Sequence, residues 1–213
     1  MIVLYDKPEC PFCYRVRIAL GFVGLDYARK DYSDPVAERE WRELTHAKTV
    51  PVMVDGDLVM TDSTAMLEYL QDRTGMLLPE EPAERARVRA LLNYADNPLG
   101  RASKEVVFAK RGIAQQDWDA DRIAAGEKGF VEALPYLDAL LEGRESYFPG
   151  YTFADAALSA RLCLSVAYGL DIPPEFARLR AWFADRLDEE WLLEASPPVV
   201  HEWLAGHRER AAG

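Results

Sequence analysis

The sequence predicts two domains, an α/β domain with a mixed sheet in the order βαβαββα and an all-α helical bundle after it. Residues 1–75 alternate short β-rich runs with helically spaced ones, whereas strand-like runs disappear beyond Pro82. The segment between these parts contains Pro79 and Pro82, a composition typical of a linker. At 213 residues the chain is long enough for one large or two small domains. We therefore predict domains at 1–75 and 83–213, joined by a linker at 76–82.

The first domain opens with two β-α units. We predict strands at Ile2–Tyr5 and Asp26–Tyr32 and helices at Pro11–Val23 and Pro35–Thr45. On the first helix one apolar stripe is expected to face the core, formed by Phe12, Val16, Ala19, Leu20 and Val23. On the second helix, Trp41 and Leu44 are expected to point inward.

A β-hairpin and a helix complete this domain. Two apolar runs, 50–54 and 58–60, flank Asp55-Gly56-Asp57, which favours a tight turn between antiparallel strands. Thr61-Asp62-Ser63-Thr64 supplies capping oxygens, so a third helix should begin there and end near Gly75.

The second domain shows helical spacing throughout. Val88, Leu91, Leu92 and Ala95 define one helical face. Phe153–Tyr168 is apolar nearly all round, with only Asp155 and Arg161 charged, which suits a helix at the centre of a bundle. Further helices are predicted at Gln116–Leu141, Pro174–Leu187 and Val199–Arg210.

Composition and charge exclude several classes of protein. With 49% hydrophobic and 29% charged residues, the chain is a globular protein rather than a disordered or fibrous one. A formal net charge of −11 repels phosphate backbones and anionic headgroups, so neither nucleic acid nor a membrane is an expected partner. The apolar start is too short for a signal peptide, which predicts a cytoplasmic protein.

Two of the three cysteines lie in one C-x-x-C motif. Cys10, Cys13 and Cys163 are too few, and odd in number, for a secreted disulfide framework. A structural zinc site usually needs four ligands, and the sequence has neither a second C-x-x-C nor histidines at ligand spacing. We therefore expect redox chemistry without a metal, and we expect Cys163 to pack in the core.

The motif Cys10-Pro11-Phe12-Cys13 follows a strand and begins a helix. There Cys10 faces unpaired backbone N–H groups and the positive end of the helix dipole, which favour its thiolate. Pro11 suits the first helical position. Cys13 lies on the same helical face and can form a disulfide with Cys10. This predicts Cys10 as the attacking and Cys13 as the resolving cysteine, the alternative being two buried cysteines that act as small hydrophobes.

These features resemble the glutathione transferase superfamily, and the resemblance covers nearly the whole chain. The first 75 residues resemble its thioredoxin-like, glutathione-binding domain, and the remainder resembles its helical domain. The two-cysteine form of Cys10-Pro11-Phe12-Cys13 is nearest to glutaredoxins that carry an added helical domain. The resemblance implies glutathione as a co-substrate and no metal.

A second motif, Val50-Pro51, matches the position of the family's cis-proline. The resemblance implies that the backbone of Val50 pairs with the cysteinyl part of glutathione beside Pro51. The alternative is an ordinary proline at a strand edge. Lys48 could attract a glutathione carboxylate or could simply be an exposed lysine.

A third motif, Asp62-Ser63, lies at the start of the third helix, where the family binds the γ-glutamyl end of glutathione. A helix N-terminus with a hydroxyl suits the α-carboxylate, and Asp62 can pair with the α-ammonium. Many family members have Glu or Gln in place of Asp62, which would shift this contact. Helix capping explains Asp62 and Ser63 equally well.

Thr152-Phe153-Ala154-Asp155 has the form of a capping box and resembles the motif that starts the family's central helix. We predict a role in folding for it. The second substrate should bind between the domains. Tyr94, Phe108 and Trp118 are aromatic candidates for that cleft, but we expect each of them in the core.

The predicted function is therefore thiol-disulfide exchange, in which a Cys10 thiolate attacks a disulfide or a glutathionylated thiol. One alternative is glutathione conjugation to a small electrophile in the cleft. Another is a non-catalytic adaptor, such as an RNA polymerase-associated protein, because one fold hosts many functions. The family commonly forms homodimers, and no residue decides whether this chain does.

Overall fold

A computed structural model describes the backbone of residues 1–212 and the side chains of residues 1–209, so Gly213 lies outside the described residues. The first domain has the predicted order. Its elements are β1 (Ile2–Asp6), α1 (Pro11–Phe22), β2 (Tyr27–Asp31), α2 (Pro35–Leu44), β3 (Val52–Asp55), β4 (Leu58–Met60) and α3 (Ser63–Thr74).

The four strands form one mixed sheet in the order β2-β1-β3-β4. β1 is parallel to β2, with Leu4 opposite Arg29, and antiparallel to β3, with Leu4 opposite Met53. β3 and β4 are antiparallel, as the Asp-Gly-Asp turn predicts. The predicted thioredoxin-like domain with a mixed sheet is therefore confirmed.

The rest of the described chain is helical, as predicted. Its elements are α4 (Pro82–Asp96), α5 (Pro98–Lys110), a 3₁₀ turn (Gln115–Asp117), α6 (Ala120–Leu140), α7 (Phe153–Ala167), α8 (Ala177–Arg186), α9 (Glu190–Ala195) and α10 (Pro198–Ala212). α7 lies at the centre, since it packs against α1, α4, α5, α8 and α10. Its contact with α1 joins the helix that follows Cys10 to the core of the second domain.

The capping box forms at the start of α7. The carboxylate of Asp155 accepts hydrogen bonds from the backbone N–H of Thr152 at 2.8 Å and from its hydroxyl at 2.6 Å. Both residues are buried. A buried helix start leaves backbone donors that need partners, so this box lets α7 begin inside the core.

The structure corrects several predicted details. α5 and α9 are additional helices, α6 begins at Ala120 instead of Gln116, and α8 begins at Ala177 instead of Pro174. Trp41 is buried as predicted, but Leu44 is 46% exposed, because α2 ends at that residue and lies at the surface. None of the described helices has an apolar stretch of the length and hydropathy that a membrane crossing requires.

A buried ion pair supports the loop between β1 and α1. Asp6 at the end of β1 binds Arg17 of α1, and both side chains are almost fully buried. Arg17 also donates to the backbone oxygens of Pro8 and Ala195, both at 2.9 Å. Arg29 of β2 binds the second oxygen of Asp6 at 2.7 Å. These contacts hold the segment that leads to Cys10 against both the sheet and α9.

Candidate active site

Cys10 is the residue that precedes the first turn of α1. Its backbone is extended, and Pro11 occupies the first helical position, as predicted. The backbone N–H of Cys10 donates to the oxygen of Lys7 at 3.2 Å, which closes the turn after β1. Cys10 is half-buried and is a free thiol. The sulfur therefore lies where the unpaired N–H groups of the helix meet the surface.

Cys13 lies one helical turn further on and is fully buried. Its sulfur accepts a hydrogen bond from the backbone N–H of Lys7 at 3.5 Å. Burial is the largest cause that raises the pKa of Cys13 well above its usual value, and its hydrogen bond to the neighbouring Cys10 raises it further. Cys13 is therefore held as a neutral thiol.

The pKa of Cys10 is lowered to about 6, far below that of a free thiol. The hydrogen bond that the Cys13 thiol donates to the Cys10 sulfur is the largest cause. Burial acts in the opposite direction, and the backbone N–H groups of Cys13 and Phe12 and the positive charge of Arg161 lower the pKa further. At neutral pH, Cys10 is therefore mainly a thiolate.

Removal of the hydrogen bond from Cys13 is expected to raise the pKa of Cys10. Cys13→Ala deletes the donor, so the rate of Cys10 alkylation by iodoacetamide at about pH 6 should fall severalfold. Cys13→Ser is the matched control, because its hydroxyl can still donate, and it should react nearly as fast as the wild type. Equal titration curves for Cys13→Ala and the wild type would contradict this assignment.

A cleft of about 500 Å³ lies between the domains, and Cys10 is on its wall. Val50 and Lys48 line the same cleft from the α/β domain. The Val50-Pro51 peptide bond is cis, as the resemblance implies. The structure therefore brings Cys10, Lys48 and Val50 to one cavity, while Pro51 is buried behind them.

Asp62 and Ser63 are not among the residues that line this cleft. Asp62 caps α3, since its carboxylate accepts from the backbone N–H of Ala65 at 2.9 Å. Ser63 is buried, and its hydroxyl accepts a hydrogen bond from Arg15 at 2.7 Å. Capping thus accounts for Asp62 in this structure, and the glutathione contacts of both residues stay predictions.

Two aromatic side chains that were expected in the core line the cleft instead. Phe12 is 38% exposed and Phe108 is 41% exposed, so both expectations are wrong. Phe12 lies in the first turn of α1, where that helix borders the cleft, and its ring centre is 5.0 and 5.3 Å from the guanidinium groups of Arg15 and Arg161. Phe108 projects from α5, a helix that the sequence reasoning missed.

The other two aromatic candidates are half-buried. Tyr94 packs against the main core, and its hydroxyl donates to the backbone oxygen of Ala133 at 2.9 Å. Trp118 instead lies near the surface, where Lys110 is 5.1 Å from its ring centre and its indole N–H donates to the oxygen of Ile113. The expectation of core packing therefore fits Tyr94 better than Trp118.

A cluster of charged residues behind Cys10 was missed by the sequence reasoning. Asp96 of α4 binds Arg15 at 2.7 Å and Arg161 at 3.4 Å. Gly100 leaves room for this cluster, since a Cβ atom there would lie 3.0 Å from Cζ of Arg161. The sequence signal for this cluster is Arg161, the one positively charged residue on the buried and largely apolar helix α7.

Cys163 lies on α7 and is fully buried, as predicted for a residue of the core. Burial raises its pKa to about 12 and keeps it a neutral thiol. Among the described residues, the structure shows no group of three or more His, Cys, Asp or Glu side chains that could hold a metal ion.

Comparisons with known proteins agree with this architecture. The family model for the glutathione S-transferase N-terminal domain matches residues 4–81. Glutathione S-transferase U2 of Arabidopsis thaliana is 30% identical over 203 residues, which cover 88% of this chain and 84% of that protein.

Solved structures give the same result. A glutathione S-transferase from Rhodospirillum rubrum F11 has a TM-score of 0.80 and 28% sequence identity, and the match covers 90% of each chain. A Pseudomonas putida glutathione transferase, solved with one glutathione disulfide per subunit, has a TM-score of 0.76 at 22% identity. That match covers 91% of this chain and 90% of the other, and it shows a common fold. On the sequence match to the Arabidopsis enzyme, this chain belongs to the glutathione S-transferase family.

Proposed function

We propose that this chain is a glutathione-dependent thiol transferase that resembles two-domain glutaredoxins and uses Cys10 as its nucleophile. The observation that carries the proposal is the pair of cysteines at the cleft, with Cys10 lowered in pKa to about 6 and Cys13 beside it as a buried hydrogen-bond donor. A cysteine thiolate can itself attack a disulfide, whereas a serine or tyrosine at this position would only bind the thiolate of glutathione.

In the first step, the Cys10 thiolate attacks the glutathione sulfur of a mixed disulfide. A bond forms between Cys10 Sγ and that sulfur, the original S–S bond breaks, and the leaving thiolate takes the electron pair. In the second step, the thiolate of another glutathione attacks the glutathione sulfur held on Cys10. This releases glutathione disulfide and restores the Cys10 thiolate.

Cys13 offers a second route for the second step. Its hydrogen bond to Cys10 and the repulsion from the Cys10 thiolate both raise its pKa, and both end when the Cys10 sulfur enters a disulfide. Only its burial then opposes ionisation. Attack by Cys13 would form the Cys10–Cys13 disulfide and release glutathione thiolate, after which two glutathione molecules reduce that disulfide.

Glutathione is placed in this proposal by the predicted contacts. Val50 and Lys48 line the cleft with Cys10, and the backbone of Val50 next to Pro51 would bind the cysteinyl part. Asp62 and Ser63 would bind the γ-glutamyl end. Ser63 accepts a hydrogen bond from Arg15, whose positive charge would favour a γ-glutamyl carboxylate at the start of α3.

Glutathione conjugation to an electrophile is the second candidate. The observation that favours it is the apolar part of the cleft wall, formed by Phe12, Val107, Phe108 and Leu164, which suits an apolar substrate. In that reaction the thiolate of glutathione would attack the electrophile, and Cys10 would serve only to position it.

Two assays on the wild-type protein test the proposal. Reduction of the mixed disulfide between glutathione and 2-mercaptoethanol measures exchange, and addition of glutathione to 1-chloro-2,4-dinitrobenzene measures conjugation. We expect exchange to dominate. Dominant conjugation would contradict the proposed reaction, and a protein that lacks both activities and does not bind glutathione would support the adaptor alternative.

A further inference from the structure

The cleft carries a charge opposite to that of the whole protein. The chain has 25 lysine and arginine residues against 36 aspartate and glutamate residues. In contrast, seven lysine and arginine side chains line the cleft, while only Glu9 and Asp96 contribute acidic groups. A reversal of this kind attracts anions to one place on an otherwise anionic surface.

Both acidic residues of the cleft are engaged by neighbouring groups. Asp96 is bound by Arg15 and Arg161. The carboxylate of Glu9 accepts a hydrogen bond from the hydroxyl of Tyr168. Both carboxylates keep their negative charge, so seven positive and two negative side chains leave the cleft lining with an excess of five positive charges.

Two of the cations, Arg101 and Lys104, belong to α5, and a third, Arg111, directly follows its last residue. Arg101, Lys104 and Arg111 recur with Phe108 at spacings of three or four residues, so these four side chains share one helical face. That face lines the cleft. Arg101 donates to the amide oxygen of Asn97 at 3.3 Å and Arg111 to the backbone oxygen of Glu9 at 3.4 Å.

Among the described residues, none of these three cations has an ion pair with a carboxylate. Other exposed cations of the second domain do pair with acidic residues, for example Arg122 with Glu105, which does not line the cleft, at 2.6 Å. The cleft face of α5 is thus an unpaired positive stripe, which we define as Arg101, Lys104 and Arg111.

An aromatic surface lies within this stripe. The Nζ atom of Lys104 and the Cζ atom of Arg111 are 5.5 and 4.9 Å from the centre of the Phe108 ring, which is itself 41% exposed. The buried side chains of Val107 and Leu164 add apolar wall nearby. Positive charges around an apolar surface match a ligand that has an apolar body and an anionic group.

We propose that the second substrate of this enzyme carries a carboxylate on an aromatic body, with the carboxylate bound by the positive stripe of α5 and the ring by Phe108. This inference rests on the proposed function, because glutathione must occupy the opposite wall. The glycyl carboxylate of glutathione has cations of the α/β domain available there, Lys7 and Lys48, and its γ-glutamyl carboxylate is assigned to the start of α3. The stripe on α5 therefore serves the group attached to the glutathione sulfur.

The inference is tested by binding of two glutathione conjugates that differ in one carboxylate. Isothermal titration of the wild-type protein with S-(4-carboxybenzyl)glutathione and with S-benzylglutathione should give about fivefold tighter binding for the carboxylated conjugate, which corresponds to one or two partly exposed ion pairs. This preference should shrink when NaCl is raised from about 0.02 to about 0.5 M, because salt screens the attraction.

The double variant Arg101→Gln/Lys104→Gln should lose the preference while it retains its affinity for S-benzylglutathione. Lys128→Gln is the matched control, since it removes one exposed positive charge from α6, outside the cleft, and should keep the preference. Equal binding of the two conjugates to the wild type would overturn the anionic substrate and leave the glutathione site intact. Failure of both conjugates to bind would overturn the glutathione site and this inference together.

Discussion

Replacement of Cys10 by serine is expected to lower kcat/KM for reduction of the glutathione–mercaptoethanol disulfide by at least about 10³-fold. A serine hydroxyl stays protonated at neutral pH, even with the hydrogen bond from Cys13 and the two backbone N–H groups that hold Cys10 as a thiolate. Serine also forms no disulfide, so the covalent step is lost altogether. Initial rates under excess glutathione and glutathione reductase measure this loss.

Two further variants separate the roles of the cysteines. Cys163→Ser is the control for a general effect of thiol removal, and because Cys163 lies in the core away from the cleft, it should alter stability more than exchange. Cys13→Ser should keep exchange if glutathione resolves the mixed disulfide. Substantial exchange activity in Cys10→Ser would contradict the assignment of the nucleophile.

Removal of the Asp6 carboxylate is expected to destabilise the fold by about 3–5 kcal/mol, because it leaves Arg17 buried without its acidic partner. Both side chains are at most 1% exposed, so water cannot replace the lost contact. Asp6→Asn keeps the shape of the side chain and removes only the charge. Urea denaturation followed by tryptophan fluorescence measures the change in the free energy of unfolding.

An exposed ion pair of the same domain provides the control. Glu38→Gln breaks the pair with Arg42 on α2, where both side chains are about half-exposed, and should cost less than about 1 kcal/mol. The double variant Asp6→Asn/Arg17→Met should recover part of the lost stability, since it removes the stranded charge. If Asp6→Asn cost as little as Glu38→Gln, the ion pair would not support the Cys10 loop.

The α/β domain could be predicted closely because its signals are local. The alternation of apolar runs, the Asp-Gly-Asp turn and the proline after Cys10 each determine a short segment, and the order of elements follows from them. Leu44 and Phe12 are exceptions, since both are exposed although their helical spacing suggests inward positions. Spacing alone gives the face of a helix, and the surface position of the last turn of α2 depends on the tertiary fold.

The candidate site was predicted only in part. The C-x-x-C motif and the cis-proline segment are contiguous in sequence and were recognised. The contacts of Asp96 with Arg15 and Arg161 join residues that are 81 and 65 positions apart in the sequence. The spacing of residues within one helix or strand does not reveal such pairs. The sequence predicts Phe12 and Phe108 as core residues, because an apolar side chain on a helix gives no sign that it faces a cleft instead of a core.

The central claim is that the Cys10 sulfur is a thiolate at neutral pH. The rate of alkylation by iodoacetamide, followed between about pH 4 and pH 9 in a Cys13→Ser/Cys163→Ser background so that Cys10 alone can react, tests it most directly. Because only the thiolate reacts, the rate should rise with pH, reach half its maximum near pH 6 and level off above about pH 7. A midpoint near about 8.5, the value of a free cysteine, would contradict it.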